Sequence, residues 1–313
     1  VEEPGQVVLP ARFLSDVIHR FPEGTVTMIM VQDDYLVKLT GNKIKMELRG
    51  MDPLDYPVPQ ALSTEKSWTV IQSVLKRAFN KVSFAISQDE ARPVMTGMLL
   101  KLSGSGNRVL AMDGFRLAEY ALEVEQTEEE FECIIPDKCI RDLEKLLSMN
   151  DTPVTLCFTQ NHMTVILDRI TFQTRLIDGQ YPFKSAKELM RKTATSHILI
   201  CRRDLIDSID RSLLLTRDDN RGSSIVRLQF EAQQLIISAT SPELGQMYEE
   251  IPIEKDGDDI TIGFNGKFLL DFLRSIESET VKFDLAGSLA AGIIYAIGDE
   301  KFTGFLSPIR LAQ

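Results

Sequence analysis

The sequence has little of what would define a secreted, membrane-bound or metal-binding protein. Its 313 residues include 4 cysteines and 3 histidines, and no two cysteines have the CxxC spacing of a metal site. No apolar run approaches the ~18 residues that a membrane-spanning helix needs, and no secretory signal pattern opens the chain. We therefore expect a globular cytoplasmic protein with reduced, buried cysteines, no metal and no membrane partner.

Motifs that carry catalysis are also missing. There is no GxxxxGK[ST] phosphate loop, no HExxH and no GxSxG. The acidic pairs Asp33-Asp34, Asp218-Asp219 and Asp258-Asp259 could hold divalent metals for nucleic-acid cleavage. Each pair falls at a predicted turn, where Asp is common for backbone reasons. We expect no catalytic residue and no cofactor, and a metal-dependent nuclease is the enzymatic alternative.

The chain lacks an excess of positive charge, since 46 acidic residues outnumber 35 basic ones and the net charge is −11. A nucleic-acid-binding protein is usually basic, so this balance argues against DNA as a partner. Any interaction with DNA therefore requires that the positive charge be confined to one surface.

What the sequence does contain is a repeat. Three segments share a basic residue, two apolar residues and an Asp at the fifth position, and they start at Arg12, Lys138 and Lys267. The starts are 126 and 129 residues apart. Each segment predicts an amphipathic helix, and alternating strands follow near Thr25, Pro153 and Thr280.

A second pattern recurs between these segments. We predict helices over Trp68–Ile86 and Arg202–Thr216, each followed by a hairpin, around residues 104–107 and 231–234. The repeating unit is therefore helix, strands, helix, strands, about 127 residues long. This order predicts an α+β fold of repeated domains in which helices cover one face of antiparallel sheets.

The repeat gives expected domain boundaries. We predict the second half of a first domain at residues 1–62, a second domain at 63–191 and a third at 192–313, with linkers near 60–65 and 187–196. The chain starts at Val1, and the spacing leads us to expect about 61 further residues before it in a complete first domain.

The repeated helices have a basic face. Lys138, Arg141 and Lys145 share one side of their helix, opposite its apolar stripe. One such face is usually a solvated surface with internal salt bridges. Several of them, related by rotation, would point at one axis and form a positive lining inside an acidic shell, which can attract phosphate groups.

The C-terminal stretch Phe305–Leu311 is apolar and contains proline. It is either the cap of a final strand or one wall of a groove for partner peptides.

In these repeats and in several short motifs, the chain resembles the bacterial DNA polymerase III beta subunit, the sliding clamp. The resemblance covers essentially the whole chain. The motifs that carry it are Glu90-Ala-Arg92, Asp113-Gly-Phe-Arg-Leu-Ala118, Asp178-Gly-Gln-Tyr-Pro182, Gly263-Phe-Asn265 with Lys267-Phe-Leu-Leu-Asp271, and Pro308-Ile-Arg-Leu311.

The resemblance implies a fold and a function. The fold would be the DNA-clamp fold, with three domains of which the first is incomplete, and with helices lining the interior of a ring. The ring would be a head-to-tail homodimer around double-stranded DNA. The protein would be a non-catalytic accessory subunit that keeps the polymerase on DNA, in the cytoplasm at replication forks of the nucleoid. Its partners would be the polymerase III alpha subunit, the clamp loader and other proteins with clamp-binding motifs.

The same resemblance implies three groups of site residues. A partner-peptide groove would be lined by Met95, Gly114, Arg116, Leu117, Pro182, Asn265, Phe268, Phe305, Leu306, Pro308, Ile309 and Arg310. DNA would contact Arg77, Lys81, Gln88, Arg92, Lys138, Arg141, Lys145, Arg211, Lys267 and Arg274. The dimer interface would include Phe13, Phe21, Leu48, Leu214 and Leu215.

Two residues depart from the family's pattern in the groove. Met112 replaces a threonine, and Lys187 stands where the family has an apolar side chain. An alternative to the ring is a truncated relative of the clamp that does not close, and that acts as a monomeric peptide-binding module.

Overall fold

The computed structural model describes residues 2–31, 35–57, 66–104, 106–124, 130–190, 193–216 and 224–311. The chain divides into two compact units, Val1–Ala61 and Leu62–Gln313. In the part of the chain that is described, no helix is long and apolar enough to cross a membrane. Of the acidic pairs, Asp33-Asp34 and Asp218-Asp219 lie outside the described residues.

The first unit consists of one helix and a three-stranded antiparallel sheet. Its elements are α1 (Ala11–Ile18), β1 (Thr27–Val31), β2 (Leu36–Gly41) and β3 (Ile44–Arg49), and the strands lie in sequence order. Val17 packs on Val37 and Leu48, which form its small core. Phe13 and Ile18 are exposed, so these two apolar residues of the amphipathic helix predicted from Arg12 do not pack on the sheet.

The second unit repeats one module, which consists of a strand, a helix and three antiparallel strands. The first copy is β4 (Lys66–Ile71), α2 (Gln72–Val82), β5 (Gly97–Leu102), β6 (Asn107–Met112) and β7 (Arg116–Leu122). The second is β8 (Phe131–Pro136), α3 (Asp137–Leu146), β9 (Pro153–Phe158), β10 (His162–Leu167) and β11 (Ile170–Arg175), followed by a separate helix α4 (Phe183–Met190).

Two further copies complete the second unit. One is β12 (Ser196–Cys201), α5 (Arg202–Thr216), β13 (Ile225–Glu231), β14 (Gln234–Ser241) and β15 (Gly245–Gly257). The other is β16 (Ile260–Asn265), α6 (Gly266–Ser275), β17 (Thr280–Leu285), β18 (Gly292–Ala296) and β19 (Asp299–Leu306). The predicted repeat of helices and strands is thus confirmed in the order of the elements.

The strands of these modules form two sheets. One has the order β11-β10-β9-β4, and the other is a twelve-stranded sheet with the order β16-β13-β14-β15-β12-β17-β18-β19-β7-β6-β5-β8. The large sheet is continuous because β19 pairs with β7, with Phe305 opposite Leu117. The helices contact one another in the order α3, α2, α6, α5 and form a layer against the sheets. Buried side chains such as Phe79, Phe272 and Phe302 fill the space between the two layers.

Two boundaries differ from the sequence-based expectation. The helix predicted from Trp68 begins only at Gln72, because residues 66–71 form β4 and pair with β9. Trp68 and Val70 are the more buried positions of this strand and alternate with exposed ones, which is the pattern of a half-buried strand. The linker predicted at 187–196 is partly helical, since α4 extends to Met190.

The cysteines are mostly core residues. Cys133, Cys139 and Cys157 are buried, whereas Cys201 is exposed, so the expectation of four buried cysteines was wrong at that position. Burial raises the pKa of Cys139 to about 12, against a hydrogen bond with Thr174 that lowers it. This thiol therefore remains protonated and unreactive at neutral pH.

Candidate functional site

A buried arginine lies where β7 meets the fourth module. Asp113 accepts hydrogen bonds from the backbone N–H groups of Phe115 (2.9 Å) and Arg116 (3.0 Å), which fixes the tight turn between β6 and β7. Gly114 occupies this turn with φ +93°, a conformation that favours glycine. The turn directs the side chain of Arg116 inward, where it is 9% exposed.

The guanidinium of Arg116 joins three parts of the second unit. Nε donates to Asp113 Oδ2 (2.9 Å), Nη1 to Asp271 Oδ2 on α6 (2.5 Å) and Nη2 to the carbonyl oxygen of Phe84 after α2 (2.7 Å). The same group lies 4.3 Å from the ring centre of Phe268 and 5.3 Å from that of Phe84. Only a planar group with several fixed donors can make all these contacts at once.

On the sheet face opposite the helices lies a second apolar cluster, separate from the main core. It contains Met95, Leu99, Leu110, Met112, Leu117, Ile134, Tyr181, Ala186 and Phe305, with Val94, Ile177, Phe183 and Ile293 partly buried around them. We call this set the outer apolar cluster. Its centre is the pair Leu117–Phe305, so the cluster exists only because β7 and β19 are neighbours.

Tyr181 and α4 cover part of this cluster. The hydroxyl of Tyr181 accepts a hydrogen bond from the Met112 backbone N–H (2.9 Å) and donates to the Gly97 carbonyl oxygen (3.4 Å). Burial raises the pKa of Tyr181, against the hydrogen bond from Met112 that lowers it, so the hydroxyl stays neutral. These contacts hold the segment after β11 over β5 and β6, and α4 continues from it.

One side of the outer apolar cluster is charged. Glu119, two residues after Leu117 on the same strand, is 8% exposed. It accepts a hydrogen bond from Arg108 Nη1 (2.7 Å) and bonds from Lys187 Nζ (2.8 and 3.2 Å). Strand alternation predicts that Glu119 shares the face of Leu117, but this acidic residue was missed when the groove was read from motifs alone.

The structure separates the predicted groove residues into groups. Met95, Leu117 and Phe305 meet in the outer apolar cluster, and Pro182 adjoins it in sequence next to Tyr181. Asn265 caps α6 by accepting hydrogen bonds from the backbone N–H groups of Lys267 and Phe268. Phe268 stacks on Arg116, and Gly114 is exposed in the turn between β6 and β7.

The C-terminal segment links these groups to the last module. The Ser307 N–H donates to the Phe115 carbonyl oxygen (2.8 Å), and the Ile309 N–H to that of Gly263 (2.7 Å). Pro308 lies between them, and Arg310 is exposed on an open depression of about 730 Å³. The segment thus forms an isolated antiparallel bridge between Ile309 and Gly263 of β16.

Two predicted groove residues cannot line a groove in this arrangement. Leu306 is fully buried in the main core, on the opposite side of β19 from Phe305, because successive residues of a strand face opposite sides. Arg116 is occupied by Asp113, Asp271 and Phe84 beneath the surface.

The predicted DNA-contacting residues lie mainly on the helix layer. Arg77, Lys138 and Lys267 are exposed and form no ion pair among the described residues. Four other exposed cations of the predicted set have acidic neighbours, in the pairs Arg141–Asp137, Lys145–Asp142, Arg211–Glu249 and Arg274–Asp210. The pKa of Glu249 is lowered, chiefly by its hydrogen bond with Arg211. Desolvation acts to raise this pKa, and a hydrogen bond from Ser208 also lowers it.

Three residues of the predicted DNA-contacting set are not on the exposed surface of the helix layer. Lys81 is 3% exposed, because α6 covers it: its ammonium donates to the Ser275 carbonyl oxygen (2.7 Å) and lies 3.3 Å from Glu277. It is therefore not available to a phosphate, and this prediction was wrong. Gln88 and Arg92 lie in the exposed loop after α2, where Arg92 donates to Asp89 (3.0 Å).

The predicted dimer-interface residues also differ in exposure. Phe13 and Leu214 are exposed and Phe21 and Leu215 are half-buried. Leu48 is 5% exposed and packs in the core of the first unit, because it faces α1 from β3. It cannot present its side chain to a partner, so that assignment was wrong.

Comparisons with known proteins agree with this architecture. Family models of the DNA polymerase III beta subunit match residues 1–60 (N-terminal domain), 69–183 (central domain) and 187–310 (C-terminal domain). The beta sliding clamp of Staphylococcus epidermidis is 30% identical over 311 residues, which cover 99% of this chain and 81% of that protein. The beta sliding clamp of Staphylococcus aureus is 29% identical over 311 residues, which also cover 99% of this chain and 81% of that protein.

Solved structures extend the likeness to three dimensions. The sliding clamp of Bacillus subtilis has a TM-score of 0.92 at 28% identity and covers 99% of this chain and 81% of that one. The polymerase III beta subunit of Pseudomonas aeruginosa has a TM-score of 0.90 at 28% identity, covering 98% and 84%. The repeated modules and the helix layer therefore define a DNA-clamp fold. The chain belongs to the bacterial DNA polymerase III beta subunit family, the beta sliding clamps. It is a processivity clamp for DNA polymerase and not itself an enzyme.

Replacing Arg116 tests its structural role. Arg116→Met leaves Asp113 and Asp271 without their shared cation, and Asp113 is only 13% exposed. We expect the free energy of unfolding, measured by urea denaturation, to fall by about 2–3 kcal/mol. The matched control is Arg274→Met, which removes an exposed ion pair between Arg274 on α6 and Asp210 on α5 and should cost less than about 1 kcal/mol. Equal losses for the two variants would refute the junction role.

Neutralising the cations that form no ion pair among the described residues tests whether the helix layer binds DNA. Arg77→Gln and Lys138→Gln should each reduce the slope of log binding constant against log salt by about 0.9, since each contact to a phosphate releases counterions. Fluorescence anisotropy with a short duplex measures this slope. Arg227→Gln serves as control, because Arg227 is exposed on the opposite face of β13 from buried Val226 and Leu228. If Arg227→Gln changes the slope as much as Arg77→Gln and Lys138→Gln do, the helix layer is not the surface that binds DNA.

Proposed function

We propose that the protein acts as a closed head-to-tail homodimeric ring that encircles double-stranded DNA. In this ring the helix layer faces the DNA, and the opposite sheet face tethers the polymerase III alpha subunit. The clamp loader and other proteins with clamp-binding motifs use the same face, and the protein works in the cytoplasm at replication forks. The observation that carries this proposal is that the two candidate surfaces lie on opposite sides of one sheet.

The helix layer suits sliding. Its exposed cations lie on helices, and charged side chains such as Arg77 and Lys138 contact phosphates without reading base sequence. Several cations of the layer are already paired with carboxylates, which keeps their attraction to DNA weak. Weak and sequence-independent contacts let a protein move along the duplex while a closed ring prevents its release.

The outer apolar cluster suits short partner peptides. Its exposed margin is formed by half-buried side chains such as Val94, Phe183 and Ile293, around a buried centre. A peptide bound there covers the margin and inserts one or two apolar anchors. Binding at this face holds the polymerase at a high effective concentration near the primer end, which raises processivity without any catalytic step.

Ring closure would use apolar residues that are exposed on each unit. Phe13 on α1 and Leu214 on α5 have more than half of their side-chain surface accessible. Beside Phe13 lies an open apolar depression of about 440 Å³, which also includes Phe21 and Met46. Burial of such side chains between two copies of the chain would stabilise a dimer.

Retention on circular DNA tests the ring. The protein is loaded with a clamp loader onto nicked circular DNA and separated by gel filtration, and we expect it to co-elute with the circle. Cutting the circle with a restriction enzyme should release the protein, because a ring that is held only topologically makes no strong contact with DNA and can slide off the ends. Retention on linear DNA contradicts encirclement. A monomeric mass by light scattering without any retention identifies a peptide-binding module instead.

Peptide affinity tests the outer face. Leu117 and Phe305 are too buried to change without disturbing the sheet, so the variant is Phe183→Ala at the margin. We expect a polymerase-tail peptide to bind about tenfold more weakly, as measured by titration calorimetry, because an apolar contact of about 1.4 kcal/mol is lost. Leu244→Ala removes a similar exposed apolar side chain in the turn between β14 and β15 and should leave binding unchanged. Equal affinities for the Phe183 variant and the parent protein would exclude this location.

A further inference from the structure

The charged side of the outer apolar cluster is built in an unusual way. Glu119 has a side chain that is 11% exposed, whereas those of Lys187 and Arg108 are 23% and 26% exposed. The carboxylate therefore lies underneath, and the two cations reach closer to solvent. Lys187 also lies 5.0 Å from the ring centre of Phe183, which belongs to the exposed margin of the cluster.

The charges of this group do not balance. Within the described part of the chain, Glu119 is the one carboxylate that forms an ion pair with Lys187 or Arg108. Lys101 lies opposite Arg108 across β5 and β6, and Glu132 lies opposite Lys101 across β5 and β8. These three cations and two carboxylates leave one excess positive charge at the edge of an apolar surface. A partly buried charge of this kind gains from an added counter-charge.

The position of the excess charge relative to the apolar centre is set by the strand. Leu117 and Glu119 are two residues apart on β7, which is about 7 Å along a strand. In an extended peptide, side chains two residues apart also lie on one side and at this spacing. A peptide that runs in extended form along β7, with an apolar anchor near Leu117, would therefore place its second neighbour close to Lys187 and Arg108.

We propose that the partner peptides of this clamp carry an aspartate or glutamate two residues from their apolar anchor, and that its carboxylate binds Lys187 and Arg108. This inference rests on the proposed function of the outer face. It adds that the charged group, Arg108 with Glu119 and Lys187, selects among peptides with the same apolar anchors. Glu119 acts as a positioning residue because it holds both cations at the cluster's edge.

Matched peptides provide the test. Two pairs of nine-residue peptides have a central Leu-Phe anchor and blocked termini, so that no terminal charge contributes. In the first pair, Glu or Gln stands two residues before the anchor, and in the second pair two residues after it. We expect the Glu form of one pair to bind the parent protein about three- to tenfold more tightly than its Gln form.

The variants locate the effect. Lys187→Gln should remove the preference for Glu, whereas Lys184→Gln should keep it, because Lys184 is exposed on the same helix and makes the same change in net charge. Raising the salt concentration from 50 to 500 mM should weaken the preference in the parent protein. Equal affinity for Glu and Gln forms in both pairs, or a preference that survives Lys187→Gln, overturns the inference.

The failure of this inference can be told apart from that of the proposed function. If all four peptides bind equally well and Phe183→Ala weakens all of them, the outer face is a peptide site without acidic selection. If none of the four binds at millimolar concentration, both the outer face as a peptide site and its acidic selection are refuted.

Discussion

The pairing of β7 with β19 is the interaction on which the rest of the second unit depends. It makes one sheet out of modules that are distant in sequence, and it brings Leu117 and Phe305 together as the centre of the outer apolar cluster. Arg116 stabilises the same junction from the other side of the strand, through Asp113, Asp271 and the Phe84 carbonyl oxygen. Without this junction the outer apolar cluster would not be continuous, since each half of it would be exposed alone.

The sheet also separates charges. The protein as a whole is strongly acidic, with a net charge of −11, yet exposed cations such as Arg77 and Lys138 occupy the helix layer. On the opposite face, the excess positive charge beside Glu119 is small and local. In the proposed function, a duplex would be attracted to the basic helix layer and a peptide to the charged edge of the outer apolar cluster on the opposite face. General acidity keeps other contacts with nucleic acid unfavourable.

Much of the fold follows from sequence patterns because each module is local. The helices α3 and α6 and the hairpin between β13 and β14 were predictable from periodicity and turn residues. Strand β4 was not predictable, because a short apolar segment directly before a helix is equally consistent with the first turn of that helix. Lys81 lies on the polar side of α2, and no local pattern reveals that α6 covers it. Glu119 was missed for a related reason: its role depends on α4, which brings Lys187 over the sheet.

The central claim is that the face created by β7 and β19 is where the polymerase binds. Methyl-labelled methionine provides a direct measurement by NMR, because Met95 and Met112 belong to the outer apolar cluster while Met163 lies in the main core and Met247 on β15. On titration with a polymerase-tail peptide, the signals of Met95 and Met112 should shift and those of Met163 and Met247 should stay in place. Shifts confined to Met163 or Met247, with Met95 and Met112 unchanged under saturating peptide, would contradict the account.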